Sequence, residues 1–160
     1  MKFKFEPKRI TREEFFNLKE EDLMFITNPG RMGDEDGSTF IIRNGNDYNV
    51  YRIDGWMYGD EKEVNYISIK EAFKQFPKWK EAWDNSRNSE YSEKYVYVYM
   101  GFGNDLCVDK RVYNEFYPYL LEEVKKQDMY SWEKDDNYNP CLNYPSWELA
   151  VEKMINNIQK

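Results

Sequence analysis

The chain has 160 residues, of which 33% are charged and 18% aromatic, with a net charge of −7 and no histidine. That length suits one domain able to bury roughly 68–70% of its unfolded surface, and the aromatic content excludes compositional disorder. Without histidine there are no Ser-His or Cys-His hydrolases, and two cysteines cannot supply the common zinc ligand sets.

Phe3 and Phe5 alternate with Lys2 and Lys4, which predicts a short strand. Thr11 as N-cap with Glu14 forms a capping box, and Ile10 and Phe15 occupy the staple positions. A helix from about Arg12 to Glu20 is expected. Leu23 to Thr27 is apolar enough for a buried strand, closed by Asn28-Pro29-Gly30. After a Gly- and acid-rich loop from Arg31 to Ser38, the runs Thr39–Arg43 and Asn49–Ile53 flank Asn44-Gly45-Asn46-Asp47. Asn-Gly between such runs is the strongest short-range hairpin signal. Trp56–Tyr58 and Val64–Ile67 read as further short strands.

Ser68 and Glu71 form a second capping box, and Ala72, Phe73 and Phe76 continue a helical face up to Pro77. Pro77 is suited to open a second short helix, which carries Trp79 and Trp83. Tyr95 to Met100 alternates and is the clearest strand; Gly101 to Asp105 turns it, and Leu106 to Val108 pairs back. Asp109 caps a helix in which Val112, Phe116, Leu120 and Val124 recur every fourth residue, with Pro118 expected to kink or split it. Asp128 to Tyr144 reads as irregular and acidic. Pro145 or Ser146 opens a last helix with Val151, Met154, Ile155 and Ile158 on one face. The expected fold is a single α+β domain over residues 1–160, a mainly antiparallel sheet with helices packed on it.

MKFKFEPKR has no apolar stretch of the secretory type, and the uncharged run Tyr95 to Asn104 is too short to span a bilayer. Cys107 and Cys141 read as reduced thiols, Cys107 as a small core residue. These features point to the cytoplasm and away from a membrane. A pI near 4.8 without a basic stripe argues against direct nucleic-acid binding. Asp34-Glu35-Asp36-Gly37 lacks the later ligands and closing Glu of a calcium loop. Gly101-Phe102-Gly103 fails the dinucleotide fingerprint because Leu106 stands where the third glycine belongs, and Gly30-Arg31-Met32-Gly33 has no phosphate-loop Lys. No cofactor or metal is expected. The acid pairs Asp60, Glu61 and Glu63, Glu122 and Glu123, and Asp135 and Asp136 read as solvated charge rather than a catalytic dyad, so no catalytic residue is assigned.

Three aromatic clusters are candidate partner-binding sites. In a strand Tyr95, Tyr97 and Tyr99 point one way and Val96, Val98 and Met100 the other, so the tyrosines either lie under a helix or form an exposed strip. Trp56 and Tyr58 stand beside Asp60, Glu61 and Glu63; Tyr130 and Trp132 stand beside Glu133, Asp135 and Asp136. In each of these two, acids would pair with a basic partner while the aromatics exclude water.

In its size, acidity, cysteine usage, abundant Tyr and Trp and lack of catalytic signatures, the chain resembles the small acidic immunity proteins of bacterial polymorphic-toxin systems. The resemblance implies a protein that binds a basic toxin domain, often a nuclease, and blocks its active site. A phage-encoded inhibitor of a host defence protein makes the same demand for a basic target. A carbohydrate- or small-molecule-binding domain is the third reading.

Overall fold

The computed structural model describes residues 2–27, 38–53, 67–85, 92–99, 105–126 and 144–160. The strands are β1 (Lys8–Arg9), β2 (Leu23–Thr27), β3 (Ser38–Asn44), β4 (Asp47–Ile53), β5 (Tyr95–Tyr99) and β6 (Asp105–Asp109). The helices are α1 (Arg12–Phe16), α2 (Ile69–Gln75), α3 (Pro77–Asp84), α4 (Lys110–Lys125) and α5 (Tyr144–Ile158), with a 3₁₀ turn at Glu20–Asp22. The strands form one sheet in the order β1-β4-β3-β2-β6-β5. Every pairing is antiparallel except β1 with β4. The fold is α+β.

Alternation along the strands sends side chains to two separate cores. Phe25, Ile41, Val50, Leu106 and Val108 meet Phe116 and Leu120 of α4 and Trp147, Val151, Met154 and Ile155 of α5. On the other face Leu23, Ile26, Phe40, Ile42, Ile53 and Cys107 meet Phe15 of α1, Ala72 of α2 and Trp79 and Ala82 of α3. The result is three layers, with helices on both faces of the sheet. Met24 breaks the alternation by sharing a face with Phe25, because the register slips between Leu23 and Phe25. A bulge of this kind places two successive residues against one on the partner strand.

Local chemistry explains most of the element boundaries. Both capping boxes form, Thr11 with Glu14 and Ser68 with Glu71. Ile10 and Phe15 are buried in one cluster, as a staple requires. Pro77 occupies the first turn of α3, and Asp109 Oδ1 accepts the Arg111 amide at 2.8 Å to cap α4. The hairpin turns at Gly45 and Asn46, and Gly45 takes φ 62°, the left-handed region that favours glycine.

Two expectations need correction and two gain detail. Residues 2–5 are not a strand. Instead the Asn156 side chain accepts from the Phe3 amide at 2.8 Å and donates to the Phe3 carbonyl at 2.9 Å, while Glu152 accepts from the Phe5 amide. An α5 side chain thus does what a neighbouring strand would do. Helix α1 stops at Phe16, where Gln75 of α2 donates to the carbonyls of Phe16 and Leu18. Pro118 neither splits α4 nor ends it; Pro118 and Asn114 both lie on the exposed face, where water can take the carbonyl that Pro118 leaves without a donor. Ile158 is exposed in the last turn of α5, beyond the core that Met154 and Ile155 reach. The strand expected at Trp56–Tyr58 and most of that at Val64–Ile67 lie outside the described residues, as do the glycine and calcium-like motifs at 30–37 and 101–103 and Cys141.

Candidate functional site

The strands set up two unlike ends of the sheet. The register places Thr27, Ser38, Ile53, Tyr99 and Asp105 together at one end. The connections 28–37, 54–66 and 100–104 all leave from there. At the opposite end lie the 3₁₀ turn before β2, Lys94 before β5 and the junction of β6 with α4.

Of the predicted partner-binding residues, Trp56, Tyr58, Asp60, Glu61, Glu63, Tyr130, Trp132, Glu133, Asp135 and Asp136 lie outside the described residues. The tyrosine row is resolved in part. Tyr95 is fully buried against the α1–α3 side and Tyr97 is half-buried against the same cluster. The exposed-strip expectation therefore fails at Tyr95, for a physical reason: α3 covers the sheet edge that β5 forms. Of the side chain of Tyr99 nothing is described. Among the acid pairs, Glu123 is buried and bound by Lys153 and Lys126, and Glu122 also pairs with Lys126. The hydrogen bond from Lys153 holds the Glu123 carboxyl below its ordinary value, so this pair is neutralised structural charge.

At the end of the sheet opposite those connections the structure brings together charges that the sequence leaves scattered. A recess of about 730 Å³ opens there, lined by Lys19 to Glu21, Lys78, Glu93, Lys94 and Asp109 to Arg111. Asp109, 1% exposed, forms its wall. Arg111 Nε lies 3.0 and 3.1 Å from the two Asp109 oxygens, and its Nη2 lies 2.7 Å from Oδ2 and 2.6 Å from the Glu21 carbonyl. Lys94 Nζ sits 3.5 Å from Asp109 Oδ2. Its three protons go to the Glu20 carbonyl, the Leu23 carbonyl at 2.7 Å and the Tyr95 hydroxyl at 3.2 Å. Glu20 in turn accepts from the amides of Lys78 at 3.1 Å and Trp79 at 2.8 Å, closing the first turn of α3.

Burial sets the electrostatics. It lowers the Lys94 ammonium from 10.5 to about 8, against the opposing pull of Asp109 and Glu20. Burial also pushes the Asp109 carboxyl up, but the hydrogen bonds from Arg111 outweigh it and hold the group below its ordinary value. Burial raises the Tyr95 hydroxyl well above 10. Because all three ammonium protons of Lys94 are committed, its present chemistry is that of a tie joining the 3₁₀ turn, β2 and β5.

Sequence reasoning missed these residues because no motif joins them. One signal was available: Lys110 and Arg111 occupy the first turn of α4, where a cation opposes the helix dipole. Among the described residues there is no cluster of His, Cys, Asp and Glu that could hold a metal ion, and no helix long and apolar enough to cross a membrane. Comparison with protein-family models, with curated proteins and with solved structures finds no match.

Proposed function

We propose that this chain is a non-catalytic binding protein, an inhibitor of the immunity type that neutralises a basic toxin domain by covering its active site. The observation that carries the reading is where the charge resides. The segments 28–37, 54–66, 86–91 and 127–143, which join the strands and helices, carry 12 of the 30 Asp and Glu but only Arg31, Lys62, Arg87 and Lys134 of the 23 Lys and Arg. The rest of the chain holds 19 cations and 18 anions, so the excess acid lies in those connecting segments. Two of these, 28–37 and 54–66, leave the same end of the sheet, and 54–66 carries Trp56 and Tyr58 beside Asp60, Glu61 and Glu63. Acid concentrated in this way steers a basic partner, and aromatic anchors hold it. The absence of histidine and the neutralised state of the Glu122–Glu123 pair favour binding over catalysis.

The test is capture of the tagged chain from its host's lysate at low and moderate salt, beside the triple variant D60N/E61Q/E63Q. One stoichiometric basic partner, weakened by salt and by the triple variant, is the expected result. A partner held equally well by the variant, or no partner, overturns the reading.

A further inference from the structure

We infer that the recess at the Lys94–Asp109–Arg111 end of the sheet binds a small oxyanion, a molecule recognised through phosphate or carboxylate groups. Its volume of about 730 Å³ falls in the range of small-molecule sites, roughly 300–1,000 Å³. Most of its carboxylates are already spent. Asp109 is matched by Arg111 and Lys94, Glu93 by Lys78 at 3.3 Å, and Glu20 by the amides of α3.

The cations are not all spent. Among the described residues Lys19 and Lys110 make no side-chain hydrogen bond or ion pair, and both are exposed. The Arg111 guanidinium turns Nε and Nη2 to Asp109, which leaves its Nη1 edge for a ligand. Among the described residues the Glu21 and Asp22 carboxylates are left to oppose these three. Helices α3 and α4 both begin at the recess; their first amides are capped, so they add a favourable field for an anion but no donors. The position of Lys110 supplies a second, independent argument. A lysine in the first turn of a helix opposes the helix dipole, and no described contact of Lys110 offsets that; a bound oxyanion would. Among the described residues the lining has no aromatic ring, so recognition rests on charge and the Arg fork.

The test is titration of the full chain at low salt with pyrophosphate and, separately, with citrate, followed by calorimetry and thermal shift. The wild type is compared with K19Q/K110Q and with K125Q, which removes a charge at the far end of α4. Saturable binding of at least one anion is expected, weakened at least tenfold in K19Q/K110Q and unchanged in K125Q. Binding of pyrophosphate alone identifies a phosphate ligand and of citrate alone a carboxylate ligand. Saturation by neither anion, or wild-type affinity in K19Q/K110Q, overturns the assignment. None of these outcomes depends on the protein partner proposed above.

Discussion

The Lys94–Asp109–Arg111 network and the Arg12–Glu71 pair both join segments far apart in sequence, yet burial makes them different kinds of interaction. Arg12 Nη2 and Glu71 Oε1 meet at 2.6 Å between side chains 38% and 35% exposed. Water screens that contact, and either partner is solvated if the other is lost. Asp109 and Lys94 are 1% and 10% exposed, so removing Asp109 leaves the Lys94 ammonium in a medium that solvates it poorly, whereas Asp109 keeps Arg111 when Lys94 is lost. The short exposed pair is therefore expected to matter less than the longer buried one at 3.5 Å. Distance alone would rank them the other way.

The strongest test of that contrast is Asp109→Ala. It leaves Lys94 buried without its counter-charge and removes the α4 cap, so unfolding in urea is expected to show a loss of about 3–5 kcal/mol. The double variant K94M/D109A is expected to lose less than the sum of its singles, because no buried charge remains unpaired. Additive losses would mean that the two groups do not share one network.

Titration sharpens the comparison further. The Lys94 value in the folded chain, about 8, lies below the ordinary 10.5. Between those values the unfolded chain binds a proton that the folded chain does not, so stability rises with pH. The rise should begin near pH 8 and approach at most about 1.4 kcal/mol per pH unit, and it should vanish in Lys94→Met. Denaturation midpoints at pH 7.5, 8.5 and 9.5 would show it.

Asn156→Ala comes next. It removes both hydrogen bonds to Phe3, for an expected loss of about 1–2 kcal/mol. Hydrogen exchange should speed up at the Phe3 amide while the β2 and β6 amides stay protected.

The smallest effect belongs to the exposed pair. A double-mutant cycle on Arg12 and Glu71 is expected to give a coupling of about 0.5 kcal/mol. The hydrogen bond from Arg12, together with those from Ser68 in the capping box, holds Glu71 at about 2 instead of 4.5. Its contribution is complete above pH 4.5 and fades as pH falls toward 2. A coupling as large as that of the buried network would show that burial is not what separates the two regions.

The division between what was legible and what was not follows the range of the interactions. Thr11–Glu14, Ser68–Glu71, Pro77, Asn44-Gly45 and the Tyr95–Tyr99 alternation each act within a few residues, so their chemistry is written in consecutive letters, and the elements they predict are present. The segment Phe3–Phe5 misleads because two alternating pairs are too few to separate a strand from an extended stretch, and its partner, Asn156, lies at the other end of the chain. Tyr95 shows the same limit: alternation says that the tyrosines share a face, but only packing puts that face under α3.

By itself the sequence determined the class of the fold, the strand pairings that hairpins dictate, the helix starts and the excess of acid over base. Only the tertiary structure decided which face each helix covers, that the connections 28–37, 54–66 and 100–104 leave one end of the sheet, and that Lys94, Asp109 and Arg111 share a recess at the other. The reason is physical. Caps, turns and alternation are local free energies, whereas pairing β2 with β6 joins residues some eighty positions apart, and the charges that meet there gain their meaning from the burial which that pairing creates.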